Sequence, residues 1–174
     1  MMTKQQFTPF WGHVREVIGI GIRLAEQLPA DQIDSHPIKH MRSPKELLVH
    51  AFGYVKNIPS GITTGTVEEP DEKGALARIK TRDELLQYCR ECFRSGDQAA
   101  SRITDAQLAA MVKTPWGGAS MPGFVLAGVV LDEFIHHRGQ LYCMVRALGA
   151  SEVPMMWDFE HNAPEFRATA GAGA

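Results

Sequence analysis

The sequence contains little cysteine and no excess of charge of either sign. Three cysteines among 174 residues are too few for a disulfide framework, and their odd number fits a reducing cytosol. Lys and Arg together number 18 and Asp and Glu number 20, which gives a formal net charge of -2. Such a balance argues against nucleic acid or an anionic membrane as a partner, because both favour a basic excess.

No stretch of the sequence is apolar over enough residues to cross a bilayer. The longest uninterrupted non-polar run, at 123–131, has nine residues, whereas a membrane-spanning helix needs about 20. The first six residues, Met-Met-Thr-Lys-Gln-Gln, show no apolar segment followed by a cleavage site. We therefore expect one cytoplasmic domain over residues 1–174, large enough to bury a core without disulfides.

What the sequence does have is helical periodicity. Between residues 7 and 28, apolar side chains recur every three or four positions, which predicts a first amphipathic helix. A capping-box pattern predicts the start of a second helix. Ser43 is the expected N-cap, Pro44 takes the first helical position, and Glu46 follows three residues after the serine. The sequence Pro-Ser-Gly at 59–61 predicts its end.

Two further helices follow the same pattern. Thr81 and Glu84 form a second capping-box signature and open the third predicted helix. The fourth is predicted to start near residues 120–122 and to run to about Leu148, with Gly149 as its C-terminal stop.

Four amphipathic segments without an alternating strand pattern predict an all-α fold, a four-helix bundle with long connecting loops. The predicted connections, 30–42, 61–74 and 104–119, are too long to fix which helices are neighbours. From about residue 164 to residue 174, the Ala- and Gly-rich end of the chain is predicted to be a flexible tail.

The fourth predicted helix carries the main candidate for chemistry. Glu133 and His137 are one helical turn apart, at the edge of the face that points into the bundle, whereas His136 points outward. A carboxylate and an imidazole at this spacing can chelate one divalent ion if another helix adds a third ligand. His50, beside the apolar stripe of the second helix, is the best candidate, and Gln140 could orient one of the ligands.

The same residues also have an ordinary structural interpretation. Glu133 and His137 would then form only an i, i+4 hydrogen bond or a solvated pair, and His50 would be a satisfied histidine at the edge of the core. Spacing within the sequence does not decide between the two.

A second motif, Cys-Arg-Glu-Cys at 89–92, suggests redox chemistry or zinc. Reactive cysteine pairs usually sit at a helix N-terminus, where the helix dipole lowers the thiol pKa. Cys89 and Cys92 instead fall in the middle of the third predicted helix, on its apolar stripe, and no second such pair exists. We interpret both as buried structural thiols, and Cys143 likewise.

Several short stretches are arranged as in a known family. Leu-Val-His-Ala occupies 48–51, and His-His-Arg-Gly-Gln, the most specific of them, occupies 136–140. The other matches are Met-Arg-Ser at 41–43, Thr-Pro-Trp-Gly-Gly at 114–118, Met-Pro at 121–122, Leu-Gly at 148–149 and Val-Pro at 153–154. Over most of its length, and in this order, the chain resembles the DinB-like superfamily, the DinB/YfiT-like metalloenzymes.

The resemblance implies a four-helix bundle, frequently a homodimer, with a divalent metal ion held by three histidines. The ion is nickel or zinc in many members. His50 and His137 match two of the ligand positions, but Glu133 stands where the family usually has the remaining histidine. Since a carboxylate can bind zinc, nickel, iron or manganese, either the site persists as His50, Glu133 and His137 or it has been lost.

Two functions follow from the resemblance. In the first, the chain is a metal-dependent enzyme, a thiol-dependent S-transferase or a protein with hydrolase-like chemistry, acting on a small molecule with a low-molecular-weight thiol. The substrate would enter between the second and fourth predicted helices, with 61–74 and 114–120 as candidate lids. In the second, it is a non-catalytic dimeric binding or stress-response protein with a degenerate metal site.

Overall fold

The computed structural model describes residues 2–168 and confirms the predicted all-α bundle. Its elements are α1 (Lys4–Ala25), α2 (Pro44–Thr64), α3 (Glu72–Arg78), α4 (Arg82–Arg102), α5 (Asp105–Ala109), β1 (Met111–Lys113), β2 (Ser120–Pro122), α6 (Gly123–Ala147) and a 3-10 helix (Pro164–Phe166). Among the described residues, no helix is both long and apolar enough to span a membrane.

Local side-chain caps set where three of the long helices begin. The hydroxyls of Thr3, Ser43 and Thr81 each accept a hydrogen bond from the backbone amide three residues later. The side chain at that third position reaches back to the capping residue's amide, so each helix start has a complete capping box. The caps at Ser43 and Thr81 confirm the sequence prediction, whereas the cap at Thr3 was not anticipated.

The order of the four long helices around the bundle differs from their order in the chain. Helix α2 packs on α4 and α6, and α1 packs on the same two helices. Consequently α1 and α2, which are consecutive in sequence, occupy opposite corners, and the segment between them crosses one end of the bundle. Because that segment is long, the sequence did not predict whether α1 and α2 would be neighbours.

The prediction that helix α2 ends at residues 59–61 was wrong. The helix continues through Pro59 to Thr64. Proline lacks the amide hydrogen that would bond the carbonyl of Val55, one turn earlier. Helix α4 covers that carbonyl instead, at Gly96, where a Cβ atom would lie 2.2 Å from the Val55 oxygen. The helix stops at Gly65, whose left-handed φ of 89° favours glycine.

Several predicted loops contain regular structure. The 61–74 segment holds the end of α2 and the start of α3. Strands β1 and β2 pair antiparallel, with Val112 opposite Met121, so residues 120–122 are extended and α6 begins only at Gly123. The turn between the strands, 114–119, is closed by the backbone and hydroxyl of Thr114, which both donate to the Ala119 carbonyl.

The predicted tail is packed against the bundle where it is described. Phe166, in the 3-10 helix, is 1% exposed, and its ring lies 4.5 Å from that of Phe93, centroid to centroid. The guanidinium of Arg90 covers the Phe166 ring. This aromatic anchor gives residues 164–168 a fixed place that their composition did not indicate, and the rest of the predicted tail lies outside the described residues.

Replacing Gly96 with alanine should destabilise the protein, because the new methyl group would force α4 away from the Val55 carbonyl. We expect a loss of about 1–3 kcal/mol in the free energy of unfolding, measured by urea denaturation. Gly128→Ala is the matched control. A Cβ there meets nothing within 4 Å, so we expect a gain of up to about 1 kcal/mol from helix propensity. Equal effects of the two changes would contradict the close approach at Gly96.

Candidate metal centre

The packing of α2 on α6 places His50 beside His137. Their rings are 5.0 Å apart, centroid to centroid, and nearly perpendicular at 89°. Glu133, one turn before His137, brings its Oε2 atom to 3.4 Å from the Nε2 atom of His137. Each of the three residues offers one ligand atom, and these atoms lie within 4.8 Å of one another. The structure thus brings together the three side chains that the sequence singled out.

His50 is oriented by a carboxylate that the sequence analysis missed. Its Nδ1 atom lies 2.6 Å from Oε1 of Glu72, the first residue of α3. With Nδ1–H donating to this carboxylate, the lone pair of Nε2 is left available to a ligand. The available signal was Asp71, which caps α3 by accepting from the amide of Gly74 and is followed by an acidic first turn.

His137 is oriented by Gln140, as the sequence suggested. Its Nδ1 atom lies 3.0 Å from the Gln140 Oε1 atom, and the Gln140 amide nitrogen lies 3.1 Å from Nε2 of His136. His136 is exposed on the outer side of α6, as predicted. The hydrogen bond to His136 fixes the Gln140 amide so that its oxygen accepts from Nδ1 of His137. As in His50, the Nε2 atom of His137 then remains free.

The environment of the His137 Nε2 atom is the strongest indication that the site binds a ligand. It is buried and has no hydrogen-bond partner among residues 2–168. Burial lowers the pKa of the ring, opposed by the hydrogen bond with Gln140, so the neutral form is favoured. A buried polar atom left unpaired costs free energy and calls for an explanation. A neutral imidazole with an unpaired inward nitrogen is what a metal ion requires of histidine.

The donor set therefore fits a divalent metal ion. Two imidazole nitrogens and one carboxylate oxygen suit zinc, nickel, iron or manganese, and three protein ligands leave a coordination position open. The two histidine side chains are only 18% and 12% exposed, whereas that of Glu133 is 55% exposed. The histidines are thus fixed by the bundle, and Glu133 closes the site from its solvent side.

Two cavities open on the site, each of about 300 Å³. The first, between α2 and α6, is lined by His50, Tyr54, Ile58, Trp116, Met121, Val129 and Glu133. The second is lined by His40, Met41, Arg42, Leu47, His50, His137, Gln140 and Met144. Of the two candidate lids, 114–120 places Trp116 on the first cavity, whereas 61–74 supplies Glu72 to His50.

A second group with metal-ligand chemistry lies on the segment after α6. It consists of Asp158, Glu160 and His161. Asp158 is already paired with Arg23 at 2.7 Å, which lowers the pKa of its carboxyl, and with His161. Glu160 and His161 are exposed. Because its one half-buried carboxylate has these partners, this group is less suited to an ion than the His50 site.

The cysteines divide into two classes. Cys89 and Cys92 are buried on the core side of α4, as predicted, and burial raises the pKa of both thiols. The same interpretation was wrong for Cys143, which is exposed. At this end of α6 the core-facing positions are Leu141, Met144 and Val145, so Cys143 lies on the outward face of the helix.

A four-helix bundle with a candidate metal centre between two of its helices is the class that the fold and the site define. The family model described as "DinB family" matches residues 1–167, and the chain belongs to this family. No curated protein matches the chain.

Solved structures show the same fold. A DinB-like protein of Bacillus subtilis, YjoA, is 21% identical, with a TM-score of 0.68 over 83% of this chain and 94% of its own. YfiT of Bacillus subtilis is 18% identical, with a TM-score of 0.64 over 87% of this chain and 92% of its own. YfiT is described as a probable metal-dependent hydrolase with an unusual four-helix bundle topology.

The burial of the thiols predicts their reactivity. In the folded protein, a chromogenic thiol reagent should modify one cysteine per chain rapidly, and all three after denaturation, because Cys89 and Cys92 are buried with raised pKa. Cys143→Ser should abolish the rapid phase. A rapid phase that survives this change would show that the pair on α4 is accessible.

Proposed function

We propose that this protein is a metal-dependent enzyme in which His50, Glu133 and His137 hold a divalent metal ion. The observation that carries the proposal is the buried, unpaired Nε2 of His137, which faces Glu133 and lies beside His50. Nickel or zinc agrees best with the family resemblance, and manganese or iron is compatible with the carboxylate. The description of YfiT as a probable metal-dependent hydrolase supports the same class.

When bound, the ion would lower the pKa of a coordinated water or thiol and so supply a nucleophile near neutral pH. The chain's own residues prepare the site for it. Glu72 and Gln140 hold the rings of His50 and His137 by their Nδ1 atoms, which leaves the Nε2 atom of each ring available to a ligand. Burial of the two rings keeps water from competing for their nitrogens and strengthens the electrostatic interactions of the site.

The reaction that we propose is hydrolase-like or thiol-dependent S-transfer on a small molecule. The two cavities on either side of the histidines give room for a substrate and for a low-molecular-weight thiol. We further propose that the protein is a cytoplasmic homodimer, on the basis of the family resemblance. The charge balance supports the absence of nucleic acid or membrane as a partner.

One observation favours the alternative of a non-catalytic binding protein with a degenerate site. Glu133 takes the position at which the family usually has histidine, and its side chain is 55% exposed. A half-exposed carboxylate retains much of its hydration, so it contributes less to holding an ion than a buried imidazole would. Metal content distinguishes the two functions.

The protein purified from cells should contain close to one nickel, zinc or manganese ion per chain by elemental analysis. His50→Ala and His137→Ala should each remove most of it, because two ligands bind an ion far less tightly than three. His161→Ala is the matched control, since it removes an imidazole from the exposed group and should leave the content unchanged. A wild-type protein without metal, even after reconstitution, would support the degenerate site.

Glu72→Gln should weaken metal binding about 10- to 100-fold without abolishing it, because an amide holds the His50 ring less firmly than a carboxylate does. Affinity is measured by competition with a chromogenic chelator. Glu69→Gln makes the same chemical change at an exposed position nearby and should have no effect. If both variants bind metal like the wild type, Glu72 does not position His50.

A further inference from the structure

The cavity between α2 and α6 combines aromatic and apolar walls with two of the candidate metal ligands. Its walls are Tyr54, Trp116, Met121 and Val129, and the candidate ligands His50 and Glu133 lie at one side of it. We call it the aromatic cavity. The ring centroids of Tyr54 and Trp116 lie 5.6 Å apart, with the ring planes inclined at 43°. Those of Tyr54 and His50 lie 5.2 Å apart in an edge-to-face arrangement. Aromatic surface therefore continues up to the candidate metal centre.

The position of Trp116 is fixed by the backbone around it. The tryptophan lies on the β1–β2 turn, which Thr114 closes by its two hydrogen bonds to the Ala119 carbonyl. Thr114 itself is buried, at 6% exposure. On the other side of β1, the backbone of Lys113 bonds to residues Gly65 and Val67, just beyond α2. The turn is thus tied to the same helix that carries His50 and Tyr54.

The polar groups of the cavity wall are largely used within the protein. The indole nitrogen of Trp116 donates to the Tyr54 hydroxyl at 3.4 Å. What remains for a ligand is ring faces and edges, the Met121 thioether and the Val129 side chain. Aromatic edges and faces favour another ring in an offset or edge-to-face arrangement, and a thioether favours contact with a ring.

We infer that the aromatic cavity binds an aromatic group of the substrate, joined directly to the group that reacts at His50 and Glu133. The inference rests on the proposed function for the reacting end, and on the cavity alone for the ring. A volume of about 300 Å³ accommodates one ring with its attached group. The substrate class is therefore an aryl-bearing small molecule, and the second cavity, beside Arg42 and His137, receives the other reactant.

The first experiment compares two chelating probes on the zinc-loaded protein by titration calorimetry. Benzohydroxamate and acetohydroxamate carry the same chelating group, and they differ by a phenyl ring in place of a methyl group. Benzohydroxamate should bind at least about tenfold more tightly, because its ring is removed from water. Equal affinities would overturn the inference.

Val129→Phe is the variant that tests the cavity itself. The added ring should fill the space and abolish the preference for benzohydroxamate, while acetohydroxamate binding stays as in the wild type. This comparison also cancels any intrinsic difference in chelation between the two probes. If the preference survives in a folded Val129→Phe protein, the ring binds elsewhere and the inference fails.

A second experiment does not depend on the metal ion. In the protein as purified and after chelator treatment, 4-nitrophenol should quench tryptophan fluorescence with a saturable component that arises from Trp116. Trp116→Phe should remove that component. Trp157→Phe, at a residue that is 69% exposed, is the matched control and should retain it. If the protein contains no metal as purified and takes up none on reconstitution, saturable quenching would refute the proposed function and leave the aromatic site standing. Absence of saturable quenching would refute the aromatic site.

Discussion

The contact between α2 and α6 is the interaction on which the candidate site depends. At its centre, the rings of Phe52 and Phe134 meet edge to face, 5.3 Å apart. Phe134 also packs against Gly21 of α1, where a Cβ atom would lie 2.7 Å from the ring. Because Phe134 is locked between two helices, its turn of α6 holds Glu133 and His137 in place opposite His50.

This core contact alone would leave two imidazoles free to rotate. The polar contacts outside it remove that freedom, since Glu72 engages one ring from α3 and Gln140 engages the other from within α6. Each contact uses an Nδ1 atom, which determines the tautomer and the direction of the remaining nitrogen. Core packing therefore sets the positions of the histidines, and hydrogen bonds at the periphery set their chemistry.

Local signals accounted for the four long helices, and for the parts of the site that lie on one helix. The capping boxes at Ser43 and Thr81 and the one-turn spacing of Glu133 and His137 depend only on residues within one or two helical turns. Prediction was wrong where tertiary contacts outweighed local preference. Helix α2 runs through Pro59 because α4 covers the freed carbonyl at Gly96.

The sequence by itself determined the helical bundle, the family and the pairing of Glu133 with His137, since helical geometry fixes neighbours within a helix. Only the tertiary structure decided that α1 and α2 lie at opposite corners, that Glu72 supports His50 and that Trp116 lines the cavity beside it. Each of these features depends on contacts between residues that long connections separate in the sequence. Such contacts follow from packing and hydrogen bonding, and they leave no periodic pattern in the sequence.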